Sequence, residues 1–191
     1  MKKLIFLMLC ILCLTGCSDE YSKELISDTY NIGDKIELAG VSFNIYKIDD
    51  NKEELYLMAE SNIASTMFSD SEREQKYLHE YNGSLIEDYV NEFVGKLEND
   101  GVSIVSSGII DKDDLIDLGF KVAGLNGTKY EINNAPEFIK NEGNFWVDGY
   151  CKYDTYAWVY SNEILTTEKC EDEYGVRPII VIKASLLEDI E

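Results

Sequence analysis

Four consecutive β-branched residues, Ile179-Ile180-Val181-Ile182, follow Gly175-Val176-Arg177-Pro178. Branching at Cβ favours an extended, pleated backbone, and a run that does not alternate with polar residues predicts a strand buried on both faces. Such a strand belongs in the middle of a sheet, so the rest of the chain must supply a neighbour on each side. The run closes a longer stretch, Asn144 to Ala184, that also holds both tryptophans, Trp146 and Trp158, and the cysteines Cys151 and Cys170.

Within that stretch, Tyr156 to Tyr160 and Glu163 to Thr167 flank Ser161-Asn162, which predicts a β-hairpin about that turn. Such a hairpin sets Cys151 and Cys170 on one face, a diagonal step apart, and a single bulge would bring them into bonding range. The expectation is either a disulfide, worth roughly 3 kcal/mol for a loop of this length, or two isolated buried thiols. Arg177, between Gly175 and Pro178, is expected to satisfy carbonyls or a buried carboxylate before it contacts any ligand. Trp146 and Trp158 are expected in the core first and as binding platforms second.

The first half of the chain predicts neighbours for the final strand. Lys35 to Leu38, Val41 to Ile48 and Leu55 to Ala59 read as short strands joined by turns at Ala39-Gly40 and Asp49 to Lys52, a β-meander. Consecutive antiparallel hairpins argue against a doubly wound nucleotide-binding fold. Ser61 to Asp70 reads as a loop, and Ser71 to Tyr81 as a short polar helix carrying the only histidine, His79, to which no role is assigned. Ser84 and Glu87 form a capping-box pattern ahead of Ile86, Tyr89, Val90, Phe93, Val94 and Leu97, with Gly101 beyond the end; this is the main amphipathic helix, its apolar stripe facing the core.

Val102 to Val105 reads as a strand and Ser106-Ser107-Gly108 as a turn. A second helix starts from Asp111 as its cap, with Asp114 at its third position, and stops at Gly119. Asp111, Asp113 and Asp114 do not make a calcium loop, because Ile116 and Val122 stand where an EF-hand needs glycine and glutamate. Carboxylates there suit the helix dipole. Lys121 to Asn134, with Gly124 and Asn126-Gly127, reads as a loop or hairpin connector, and Pro136 opens a short helix through Ile139. The expected class is therefore α+β: an N-terminal antiparallel meander, one main helix with shorter ones, a C-terminal hairpin and a buried final strand.

At 191 residues, 45% hydrophobic and 12% aromatic, the chain suffices for one compact core. Its N-terminus reads as an export leader: Lys2 and Lys3 precede an apolar run, Leu4 to Leu14, too short to span a bilayer. Cys10 and Cys13 are apolar leader residues. Leu14-Thr15-Gly16-Cys17 resembles a bacterial lipobox, which implies diacylglycerol on the Cys17 sulfur, cleavage before it, and a bilayer partner through that anchor. An ordinary cleaved signal or an uncleaved anchor is the other reading. The organisation expected is a lipoprotein signal peptide over 1–16, a lipidated N-terminus and polar tether over 17–29, and a single domain over 30–191. The net charge of −20 becomes −22 once Lys2 and Lys3 are removed, leaving 15 basic against 37 acidic residues. That surface repels nucleic acid and anionic headgroups, so no nucleic-acid partner is expected.

The chain has no G-x-S-x-G, no H-E-x-x-H and no phosphate-cradling Gly-Lys-Ser/Thr loop, and one histidine gives no sequence support to a metal site or a Cys-His pair. No catalytic residue, metal or cofactor is expected. Tyr156-Ala157-Trp158-Val159-Tyr160 and then Tyr174-Gly175-Val176-Arg177-Pro178 before aliphatics resemble an uncharacterised domain of secreted proteins and lipoproteins of Gram-positive bacteria. Tyr30-Asn31-Ile32-Gly33-Asp34 and Tyr81-Asn82-Gly83-Ser84 extend the similarity over residues 30 to 184. That domain is distantly similar to the C-type-lectin-like and formylglycine-generating-enzyme folds. The resemblance implies a lectin-like architecture and a surface binding module for carbohydrate or protein on the outer face of the cell membrane. Where the family reads Leu-Arg-Ser after its first tryptophan, this chain has Val147-Asp148-Gly149. Asp148, Tyr150, Tyr153 and Arg177 are the candidate ligand-binding residues. The alternatives are an enzyme of the formylglycine-generating type, for which Cys151 and Cys170 stand far apart in sequence, and a passive envelope lipoprotein.

Overall fold

The computed structural model describes residues 25–70, 78–122, 129–132, 134–140 and 143–188. The leader, Cys17, most of the tether, residues 71–77 of the expected polar helix, and the Gly124 and Asn126-Gly127 connector lie outside the described residues. In chain order the elements are β1 (Lys35–Leu38), β2 (Val41–Asp49), β3 (Glu54–Ala59), β4 (Ala64–Met67), α1 (Leu85–Asn99), β5 (Ser106–Ile109), α2 (Lys112–Asp117), β6 (Phe120–Val122), β7 (Tyr130–Ile132) and α3 (Glu137–Lys140). β8 (Phe145–Val147), β9 (Tyr156–Ser161), β10 (Ile164–Lys169), β11 (Glu173–Val176), β12 (Pro178–Lys183) and α4 (Ser185–Glu188) follow.

The strands form two sheets, which makes the chain a mixed α+β protein. One has five strands in the order β1-β2-β3-β12-β5, the other seven in the order β4-β11-β8-β9-β10-β7-β6. Every pairing is antiparallel except β11 with β8. The meander is β1-β2-β3, and its first turn puts Ala39 and Gly40 at φ 49° and 76°, the twist that matches the flanking strands. The β-branched run is the body of β12, paired with β3 on one side and β5 on the other, with Ile180 and Ile182 in one core and Ile179 turned toward another. Pro178 takes the first place in the strand, where its missing N–H costs least.

Three apolar cores follow from these layers. Phe43, Ile45, Leu57 and Ile180 pack on one face of the five-stranded sheet with Leu97 of α1. The opposite face carries Tyr46 and Met58, which meet Phe145, Val147, Trp158 and Tyr160 of the seven-stranded sheet and Leu115 of α2. The far side of the seven-stranded sheet, with Trp146 and Val159, is covered by Ile86 and Val90 of α1. Ser84 Oγ accepts from Glu87 N at 3.1 Å, and Glu87 reaches back to accept from Gly83 N at 2.5 Å, so the capping pattern becomes a real N-terminal clasp. Tyr89, expected in the stripe, is exposed.

Several segments differ from their sequence reading. Ser61 to Asp70 is no plain loop: Ala64–Met67 is β4, paired with β11 more than a hundred residues later. Val102 to Val105 is not a strand; Ser106-Ser107-Gly108, read as a turn, forms β5 against β12. In both cases polar residues extend because a distant strand offers its amides and carbonyls. Leu78 to Tyr81 is turn and coil. Ile26–Asp28 of the expected tether forms a short 3-10 turn, with Ile26 against the core of the five-stranded sheet and Ser27 N donating to Asp50 Oδ1 at 2.9 Å. No helix among the described residues is long and apolar enough to cross a membrane.

Candidate functional site

A cleft of about 560 Å³ opens where three segments converge. His79, Glu80, Tyr81 and Asn82 come from the approach to α1, Asp111 from the start of α2, and Asp148, Gly149 and Tyr150 from the loop after β8. Asp111 and Asp148 are parallel bridge partners: Asp148 N donates to Ile110 O and Lys112 N to Asp148 O, each at 2.9 Å. Two carboxylates are thus held side by side by backbone. Each is also pinned, since Asp111 Oδ1 accepts from Asp113 N at 2.6 Å as the cap of α2 and Asp148 Oδ1 from Gly149 N at 2.7 Å. Gly149, at φ +135°, makes the bend possible, and a Cβ there would lie 3.1 Å from Lys112 Cβ.

Burial pushes the Asp148 carboxyl above the usual range, opposed by the Gly149 N–H; the charge of Asp111 pushes it further and His79 pulls it back. Asp111 is raised by burial too, and the Asp113 N–H opposes that rise. The phenol of Tyr81 is raised, first by burial and then by Glu87 and Asp148. Desolvated acids, a buried histidine and aromatic rings thus surround an open hollow. Tyr150 stands at the mouth, 76% exposed, with its ring edge-on to His79 at 6.0 Å, while His79 itself is only 5% exposed. The Tyr150 carbonyl accepts from Trp158 Nε1 at 2.9 Å, which ties the loop to the core.

Of the four residues expected to bind ligand, the cleft gathers Asp148 and Tyr150. Tyr153, 57% exposed, stacks beside Tyr156 at 6.0 Å and does not line the cleft. Arg177 is fully buried at the crossing from β11 to β12, that is, from one sheet to the other. Its Nε donates to Ala59 O at 2.8 Å and its Nη2 to Glu60 O at 3.1 Å and Phe138 O at 2.8 Å, with the guanidinium over the Phe145 ring at 5.3 Å. The carbonyl-satisfying role expected for it is the one it has. Trp146 and Trp158 are buried, with Trp146 Nε1 donating to Thr66 O at 2.8 Å.

Cys151 and Cys170 are free, buried thiols, which corrects the expected disulfide. The hairpin turns at Asn162-Glu163, φ 50° and 63°, one residue later than expected. Ile164 therefore faces Ser161, and Cys170 N donates to Thr155 O at 2.9 Å. Cys151 lies beyond the turn residues that precede β9, off the ladder altogether. Burial, with Cys151 adding to it, pushes the Cys170 thiol up to about 12, so it is protonated and a poor nucleophile. Sequence reasoning assigns nothing to His79 and sees only a helix cap in Asp111. The Tyr81-Asn82-Gly83 run before a capped helix is the one local hint of their neighbourhood. No family model, curated protein or solved structure matches this chain.

Proposed function

We propose that the protein is a lipid-anchored, extracytoplasmic lipoprotein whose head is a surface binding module, with the cleft between His79 and Tyr150 as its recognition site. The anchor on Cys17, the kinship with the Gram-positive secreted domain and a lectin-like architecture are parts of this proposal. The observation that carries it is Tyr150: a large aromatic ring held out into solvent at the rim of a hollow floored by Asp111 and Asp148. An exposed ring offers its face to the C–H surface of a sugar, while carboxylates and Asn82 accept or donate to hydroxyl groups. Carbohydrate is therefore the favoured ligand class, and a protein loop the competing one.

Glycan-array and cell-wall pulldown experiments test the proposal. Wild-type protein is expected to retain defined glycans, and Tyr150→Ala to lose them while its stability stays within ~0.5 kcal/mol, as for an exposed side chain. Retention of proteins but no glycan would transfer the cleft to protein recognition. Binding no stronger than a heat-denatured control would end the proposal. Mass spectrometry of the membrane fraction tests the anchor, and an unmodified chain beginning ahead of Cys17 would refute it.

A further inference from the structure

A second cavity lies beside the Arg177 crossing. It has a volume of about 320 Å³ and is bounded by Lys35 on β1, Asn44 on β2, Glu60 after β3, and Pro136, Glu137 and Phe138 at the start of α3. Arg177 fixes its walls, because the carbonyls that the guanidinium binds include those of Glu60 and Phe138. Lys35 and Asn44 are register partners, so their side chains share one face of the sheet.

The charges around this cavity are compensated. Lys35 Nζ donates to Glu60, and Lys140 Nζ to Glu137 at 2.6 Å. Asn44 is different. It is 2% exposed, and its Nδ2 has no hydrogen-bond partner among the described residues. A buried amide donor without an acceptor carries a desolvation cost that an incoming oxygen would relieve. Alternation in β2 turns Phe43 and Ile45 into the α1-side core and Asn44 to the opposite face, where the cavity lies.

We propose that this cavity is a second binding site, for a neutral N-acyl group, whose carbonyl oxygen accepts from Asn44 Nδ2 while its alkyl end packs on Pro136 and Phe138. Paired charges at the rim leave no net attraction for a strongly anionic or cationic ligand. An acylamino group combines the three properties the walls ask for: an acceptor, a small apolar end, and an N–H that a rim carboxylate accepts.

The test uses nitrogen-15 spectra of the full chain in detergent micelles, titrated with N-acetylglucosamine, glucosamine and glucose as probes. The side-chain amide pair of Asn44 is identified by its disappearance in Asn44→Leu. The expected result is a saturable shift of that pair with N-acetylglucosamine, at least tenfold weaker or absent with the two probes that lack the acyl group. Acetamide alone is expected to shift the same pair at higher concentration. No shift of the Asn44 pair, or an equal shift with glucose, overturns the proposal. The Asn44 pair is also assigned in the wild type through its scalar correlation to Asn44 Cβ, so the wild-type titration decides this even if the variant does not fold. Asn44→Leu adds that loss of the donor leaves the folded spectrum intact and removes probe-induced shifts from residues around Phe138; persistence of those shifts counts against the assignment.

Discussion

Arg177 and Asp148 sit in similar sequence settings, each a charged residue near a glycine at a strand end, yet the fold treats them in opposite ways. Arg177 is enclosed and its donors reach three carbonyls from two other segments, so its charge is spent on joining the sheets. Asp148 accepts from its neighbour's N–H, faces a second carboxylate, and borders an open cleft. A buried charge with its partners built in is a fastener, whereas a carboxylate desolvated beside a cavity carries a cost at neutral pH that its one N–H partner only partly offsets.

The largest effect expected on either side of this contrast is from Arg177→Leu. It strands the Ala59, Glu60 and Phe138 carbonyls and is expected to cost ~3–5 kcal/mol in urea unfolding, a large share of a typical domain's stability. A loss below ~1 kcal/mol would mean the crossing is held by packing alone. Arg177→Lys is expected to fall close to the leucine variant, since a single ammonium cannot span the three acceptors.

Gly175→Ala probes the same crossing by bulk. A Cβ would lie 2.1 Å from Asn62 Nδ2 and, less forgivingly, 2.7 Å from the Asn144 carbonyl. Overpacking of this kind is expected to cost ~1–3 kcal/mol, read as a lower unfolding midpoint with an unchanged slope. A neutral result would show that the β4–β11–β8 region shifts freely.

At the cleft the expected sign reverses. Because the folded state holds the Asp148 proton more tightly than the unfolded chain, this group favours folding most below the ordinary value of 3.8, and that favour is lost as pH climbs through the raised one. Asp148→Asn is therefore expected to raise the melting temperature at neutral pH and flatten its dependence on pH above 3.8. A variant that melts lower at neutral pH would make Asp148 a structural acceptor like the carbonyls around Arg177.

The smallest effect is expected from a reductant. With Cys151 and Cys170 as thiols, dithiothreitol should leave the unfolding midpoint where it was, whereas opening a disulfide across this hairpin would remove roughly 3 kcal/mol. A drop of that size would show the two thiols joined in a disulfide.

What can be read in advance follows the range of the forces involved. The capping of α1 and the meander depend on neighbours within one turn or one hairpin, and the β12 run, though its partners are distant, carries its own signal in four β-branched residues. β4 and β5 do not: Ser65, Thr66, Ser106 and Ser107 extend only because β11 and β12 lie alongside, far along the chain. The cleft divides in the same manner. Asp148 and Tyr150 share one loop and are visible together, whereas His79 and Asp111 join them through contacts that no local pattern encodes. The one-residue difference in the β9–β10 turn is local, but it resets the register of every pair along the hairpin.

The order in which strands fill the five-stranded sheet has a consequence for biogenesis. β12 is the last strand to be synthesised, yet β3 and β5 are joined only through it. Until Lys183 has emerged, β3 and β5 each lack the strand that lies between them in the folded sheet. β12 is thus the keystone of the sheet, because without it the β1-β2-β3 meander and β5 share no ladder.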